Sequence, residues 1–239
     1  MGNRRTTTLM VTHTRMSFIK RCLLGFLLLG LTGTSAVATN LILSKDRIEA
    51  IGREYGLKTE DRVRAWQGLI KNHQHEPELV KLKLVNRFFN RIEYMHDQDL
   101  WGKRNYWATP LEFIIRNGGD CEDYALSKYF TLRAMGVSAN KMRITFVKSL
   151  KMDRAHMVLS YYETPSEDPF VLDNTTDMIF YGTERPDLKP IYSFNGDGVW
   201  VTDKPLSAGS NTAMPASNGD NRMLLWIDLK QRMMAQGLL

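Results

Sequence analysis

Thr109-Pro110-Leu111-Glu112-Phe113-Ile114-Ile115-Arg116-Asn117-Gly118-Gly119-Asp120-Cys121-Glu122-Asp123-Tyr124-Ala125 contains two helix starts and one helix end. Thr109 stands where a side-chain oxygen can satisfy free backbone N–H groups. Pro110 suits the first helical position, and Glu112 at the third completes a capping box. Asn117-Gly118-Gly119 is a stop signal. Asp120 then caps a second helix, with Ala125, Leu126, Tyr129, Phe130 and Leu132 on its buried side and Gly136 as its terminator. Cys121 is therefore the first residue of that helix, where unpaired N–H groups and the positive end of the helix dipole favour a thiolate. A lone cysteine is ordinarily a small buried apolar residue. At a capped helix start after two glycines access is open, and a reactive sulfur is the better reading.

A nucleophilic thiol needs a base, and the base needs an orienting group. His156 is the only histidine in the β-rich half of the chain, and Asp173 follows the short apolar run Phe170-Val171-Leu172. The turn Pro165-Ser166-Glu167-Asp168 between them predicts a hairpin that brings His156 beside Asp173, which would fix the imidazole tautomer; Asn174 is a weaker alternative. Against this scheme, Asp120, Glu122 and Asp123 crowd carboxylates around Cys121, and negative charge raises a thiol pKa. A hard divalent cation, calcium above all, would offset them, with Asp97 and Asp99 on the preceding loop as possible further donors. Helix capping by Asp120 and Asp123 without any metal accounts for the same residues, so both readings stand.

Upstream, Ser44 is expected to cap a helix ending at Gly56, Thr59 a second carrying Val63, Trp66 and Ile70, and Glu78 to His96 a third with Leu82, Val85, Phe89 and Ile92 in one stripe. His73 and His75 read as a solvated turn before Pro77, since no third ligand is near. Beyond residue 140 the period becomes that of strands: Met142 to Val147, His156 to Tyr162, Phe170 to Leu172, Ile191 to Phe194 and Val199 to Thr202. Helices first and strands after predict an α+β fold, a helical N-terminal lobe packed against an antiparallel sheet.

The 239 residues are 43% hydrophobic and 24% charged, a globular composition that excludes a disordered chain or a multi-span membrane protein. The net charge of +6 is carried mostly by the head of the chain: residues 1–38 hold five basic and no acidic side chains. The rest is nearly neutral, which argues against a nucleic-acid surface. Residues 1–38 have the layout of a secretory signal peptide: a basic start, an apolar run from Cys22 to Leu31, and Ala36-Val37-Ala38 as a cleavage site, with Met16 as a possible true start. Cleavage would remove Cys22 and leave Cys121 as the only thiol of an exported protein. The expected organisation is a signal at 1–38, a catalytic domain at 39–206, a Ser/Ala/Asn/Gly-rich linker at 207–221 and a helical tail at 222–239.

Gly119-Asp120-Cys121-Glu122-Asp123-Tyr124-Ala125, then His156, then Asp173-Asn174, together with Tyr106-Trp107-Ala108-Thr109-Pro110-Leu111-Glu112, resembles the bacterial transglutaminase-like cysteine proteinases, and within them the LapG type. The resemblance covers most of the chain after the signal. It implies a papain/transglutaminase-like core and a periplasmic, calcium-dependent endopeptidase. Such an enzyme cuts a large repeat-rich surface adhesin near its N-terminal anchor, between two alanines, and so releases biofilm cells. By the same correspondence Cys121, His156 and Asp173 are the catalytic triad and Asp120, Glu122 and Asp123 the calcium-associated group, with Ca2+ as cofactor. The resemblance also implies an inhibitory partner, an inner-membrane cyclic di-GMP receptor of the LapD type. One oxyanion donor is the Cys121 backbone N–H; Trp107 and Asn105 are candidates for the second. A transglutaminase-like acyl transferase and a non-catalytic calcium-binding module are the competing readings.

Overall fold

The computed structural model describes residues 1–2, 41–196, 199–201, 204–205 and 222–239. The rest of the expected signal segment and the expected linker at 207–221 lie outside the described residues. In chain order the elements are α1 (Lys45–Tyr55), α2 (Leu57–His73), α3 (Glu78–Phe89), β1 (Glu93–Tyr94), α4 (Asp97–Trp101), α5 (Pro110–Arg116), β2 (Gly118–Gly119) and α6 (Cys121–Ala134). There follow β3 (Met142–Ser149), β4 (Arg154–Tyr161), β5 (Phe170–Leu172), β6 (Phe180–Tyr181), β7 (Leu188–Phe194), β8 (Val199–Val201), β9 (Lys204–Pro205) and α7 (Arg222–Ala235). The expected α+β architecture holds. Strands β3 to β9 form one antiparallel sheet in the order β6-β5-β4-β3-β7-β8-β9.

Helix α6 is the centre of the fold. Residues Asp123 to Leu132 are all buried, because α6 packs on β4 with one side and on α3 and α5 with the others. A helix enclosed on every side carries no polar stripe. Of its few polar residues, Ser127 Oγ and Lys128 Nζ have no hydrogen-bond partner, while others find partners inside. Thr131, for example, accepts from the Trp66 indole N–H at 3.0 Å. Along β4, Met157, Leu159 and Tyr161 join this main core, while Val158 packs with Val147, Val171 and Leu188 in a small cluster of their own. That division follows from the two-residue period of a strand.

Three local expectations are corrected. Gly56, at φ 92°, breaks the chain between α1 and α2 in one residue, so α2 starts at Leu57 and Thr59 lies inside it. The Thr59 hydroxyl donates to the Tyr55 carbonyl at 3.2 Å instead of capping. The third helix ends at Phe89, not His96, because Glu93–Tyr94 leaves to pair in parallel with Gly118–Gly119. Ile92 is buried although it lies past the helix end, so the apolar stripe continues beyond Phe89. The segment before Lys103 expected as loop contains the short helix α4.

The closeness of that parallel pair explains both glycines. A Cβ on Gly119 would sit 2.7 Å from the Phe113 ring, and one on Gly118 would strike the Met95 sulfur. The helical tail docks on the same region. Trp226, Leu229, Met233 and Leu238 enter the main core, with Trp226 stacked on Phe130 at 5.7 Å. Gln236 and Arg232 reach the start of α5: Thr109 Oγ1 lies 2.7 Å from Gln236 Oε1, and Arg232 Nη1 lies 2.5 Å from Glu112 Oε2. No helix among the described residues is long and apolar enough to cross a membrane.

Candidate active site

The predicted capping box at Thr109 and the predicted Asp120 cap are both present, the latter also as a capping box. Thr109 and Glu112 close the start of α5, and Asp120 and Asp123 close the start of α6, which leaves Cys121 at the first helical position. The β4–β5 hairpin is also present, in the register Leu159–Leu172 and Tyr161–Phe170. Because β5 is only three residues long, it pairs with residues 159–161 and stops. The edge of β4 from Arg154 to Val158 is thereby left open on that side, and α6 packs on β4 there, with the Met157 N–H near enough to the Cys121 sulfur to favour the thiolate. The half-buried thiol thus lies against the backbone of the residue after His156.

His156 and Asp173, both buried, meet through Nε2 and Oδ1 at 2.8 Å. An ionised carboxylate only accepts, so Nε2 carries the proton and Nδ1 is the nitrogen left for another group. Burial alone would raise the Asp173 pKa, but the bond and charge of His156 and two bonds from Thr175 hold it well below the usual carboxylate range. The Thr175 backbone N–H reaches Oδ1 at 3.0 Å and the Thr175 hydroxyl reaches Oδ2 at 2.8 Å.

Sequence reasoning missed what holds this loop. Asn90 Nδ2 donates to the carbonyls of Asp173 and Thr176 at 3.0 and 2.8 Å, and Asn86 Nδ2 to those of Thr176 and Asp177 at 3.1 and 3.2 Å. The available signal was two asparagines one turn apart on the face of a helix expected to be apolar. Arg185, on the turn before β7, was missed as well and has no local signal; its Nη2 lies 2.9 Å from Asp173 Oδ2.

The acidic group divides in two. Asp97, Asp120 and Asp123 offer carboxylate oxygens within 4.8 Å of one another, while Glu122 groups with Asp120 and Cys121 and accepts from the thiol at 2.8 Å. Asp99 is exposed and belongs to neither group. Asp123 Oδ1 accepts from Ala108 N–H at 2.7 Å and Asp97 Oδ2 from Tyr106 N–H at 2.6 Å. Asp97 Oδ1 is buried and has no hydrogen-bond partner. Burial, then mutual repulsion, pushes Asp120 up to about 10; burial, opposed by the Tyr106 N–H, lifts Asp97 to about 6. Asp123 rises well above its ordinary value, chiefly through burial. The Cys121 thiol is likewise raised, by burial first and then by Glu122 and Asp120. Buried carboxylates that repel one another, with one oxygen lacking any donor, fit the all-oxygen coordination of a calcium ion.

Of the two candidates for a second oxyanion donor, Trp107 is buried and stacked on Phe194 at 5.8 Å, and Asn105 is exposed. His73 and His75 lie at the surface end of α2, outside any metal-binding group among the described residues.

Residues 59–188 match the family model described as bacterial transglutaminase-like cysteine proteinase. Among solved structures, Legionella pneumophila LapG is 39% identical with a TM-score of 0.66, over 82% of this chain and 98% of that one. Its calcium-bound form is 39% identical with a TM-score of 0.66, over 80% of this chain and 99% of that one. The EGTA-treated form is 40% identical with a TM-score of 0.65, over 80% and 98% respectively. No curated protein matches the chain.

Proposed function

Because the chain belongs to the bacterial transglutaminase-like cysteine proteinases, we propose that it is an endopeptidase whose Cys121, His156 and Asp173 act as a catalytic triad. The observation that carries this reading is the convergence of three elements at one sheet edge. The His156–Asp173 bond fixes the imidazole, and the Met157 N–H, from the residue after His156, is near enough to the Cys121 sulfur to favour its ionised form. Cys121 Sγ attacks the scissile carbonyl while His156 Nδ1 holds the thiol proton and then delivers it to the leaving amine. Water next adds to the thioester, with His156 as base. Asp173 stays ionised throughout and keeps the ring in the tautomer that presents Nδ1.

Asp97, Asp120 and Asp123 would hold calcium, with Glu122 beside them. Bound there, the cation supplies positive charge against the carboxylates that otherwise oppose thiolate formation. The likeness to a calcium-bound relative and the orphaned Asp97 oxygen support this assignment. The substrate we infer is a large surface adhesin cut near its N-terminal anchor between two alanines, with biofilm dispersal as the outcome. The secretory layout of residues 1–38 supports a periplasmic location, and an inner-membrane cyclic di-GMP receptor of the LapD type is the expected inhibitor.

The test is incubation of the full protein with calcium and a recombinant adhesin N-terminal fragment containing an Ala-Ala pair. Two fragments are expected from the wild type and none from Cys121→Ala. An isopeptide-linked product in place of cleavage would mean acyl transfer, and equal cleavage by Cys121→Ala would remove the triad altogether.

A further inference from the structure

Asp173 is shared. Its Oδ1 accepts from His156 Nε2 and the Thr175 N–H, and its Oδ2 accepts from the Thr175 hydroxyl and from Arg185 Nη2 at 2.9 Å. Arg185 is in turn held by a two-point fork: Nε to Asp187 Oδ1 and Nη2 to Asp187 Oδ2, each at 2.9 Å. The guanidinium side chain is 12% exposed and Asp173 is fully enclosed. A carboxylate bound on one oxygen only can rotate about its own axis. One bound on both, by donors on different chain segments, cannot. A guanidinium fixed by a bidentate carboxylate is a more rigid donor than a lysine ammonium.

We propose that Arg185 is a positioning residue for hydrolysis: anchored by Asp187, it locks the Asp173 carboxylate so that Oδ1 faces His156 Nε2. The inference rests on the triad reading above. Arg185 bonds to Asp173 and not to the ring, so it acts through the carboxylate. Its charge also helps keep that enclosed carboxylate ionised, together with His156. Other charged groups that act on Asp173 are Lys128 on α6 and Asp187, and Asp177 on the same loop acts in turn on Lys128. Lys128 Nζ makes no hydrogen bond, so among the described residues Arg185 is the group other than His156 itself that binds the carboxylate by a side-chain ion pair from outside its own loop.

The test compares the calcium-loaded full protein with Arg185→Met, Arg185→Lys, Asp187→Asn and Asp173→Asn. Readouts are kcat and KM on the adhesin fragment, and the His156 ring tautomer from imidazole nitrogen NMR, assigned through His156→Gln. Arg185→Met is expected to lower kcat about 10- to 100-fold, the scale of a small misplacement of a catalytic group. KM should stay unchanged and the ring should pass from the Nε2-protonated form to a mixture. Without the guanidinium Asp173 protonates at a higher pH, so activity should fail sooner on acidification. Arg185→Lys should restore part of kcat. Asp187→Asn, a change at the 30% exposed end of the fork, should give a smaller loss and covers the case in which Arg185→Met does not fold. Wild-type kcat and tautomer in both Arg185→Met and Asp187→Asn overturn the proposal, as does a loss that follows unfolding while the tautomer is kept. If Asp173→Asn is itself fully active, the triad reading fails. If Asp173→Asn is inactive and the Arg185 and Asp187 variants are not, only the present inference fails.

Discussion

Replacing Lys128 by methionine is expected to stabilise the protein, and the size of the effect follows from where the amine sits. Lys128 lies two turns along α6 from Cys121, fully enclosed, with no hydrogen bond to Nζ and the Tyr124 ring centre 5.8 Å away. Burial lowers its pKa from 10.5 to about 7, against the pull of Asp173 and Asp177. At about 1.4 kcal/mol per unit, the charged form costs roughly 5 kcal/mol relative to the unfolded chain. Methionine keeps the length and loses the charge; replacements of this kind gain ~1–4 kcal/mol. The sign with pH is fixed. The unfolded chain binds the proton more tightly, so the wild-type penalty is complete below pH 7 and is gone above 10.5. Urea unfolding of wild type and Lys128→Met at pH 7 and pH 9 should show the variant ahead at both, with the smaller lead at pH 9. A variant less stable than wild type at both pH values would refute the reasoning and mean that the ammonium is a needed partner of Asp173.

Calcium at a hundred times its Kd should stabilise the native chain by about 2.7 kcal/mol, a Tm rise of roughly 5–10 °C in a thermal melt for a chain this size. Asp97→Asn should abolish most of the rise, and an equal rise in that variant would remove Asp97 from the ligand set. Because Asp97 titrates at about 6 and Asp120 higher still when no cation offsets them, the calcium effect should weaken as pH falls through 6. Gly119→Ala should cost about 1–3 kcal/mol, since its Cβ would press on Phe113 and the Asp123 carboxylate. A melt unchanged by that substitution would mean that β2 has room to shift.

The features legible in the sequence were those written in consecutive residues. Thr109-Pro110-Leu111-Glu112 and Asp120 to Asp123 are caps whose donors and acceptors lie within one turn, so local chemistry determines them. The β4–β5 hairpin was readable because an apolar run, a turn and a second apolar run follow one another. Reading failed where distant segments decide. The end of α3 is set by Glu93–Tyr94 pairing with Gly118–Gly119, and the stripe through Ile92 gave no sign of it. Asn90 and Arg185 bond to Asp173 across 83 and 12 residues of chain, and Asn86 bonds to Thr176 and Asp177 on the same loop across 90 and 91, relations that composition and period do not encode. Asp97 was identifiable only as a possible donor, because its nearness to Asp120 and Asp123 depends on α4, a helix too short to announce itself.

The docking of α7 bears on the order of assembly. Its bonds to Thr109 and Glu112 join residues 127 and 120 positions apart. Contacts that close such long loops form late, whereas a hairpin such as β4–β5 forms from near neighbours. The β4–β5 hairpin is therefore expected to form early in folding, and the tail's contacts with α5, like those of Asn86 and Asn90 with the Asp173 loop, to form late. Pulse-labelled hydrogen exchange would read this as amide protection in β4 and β5 ahead of α5. A newly made chain would then complete the surroundings of the Cys121 helix start only when its C-terminal helix docks on α5.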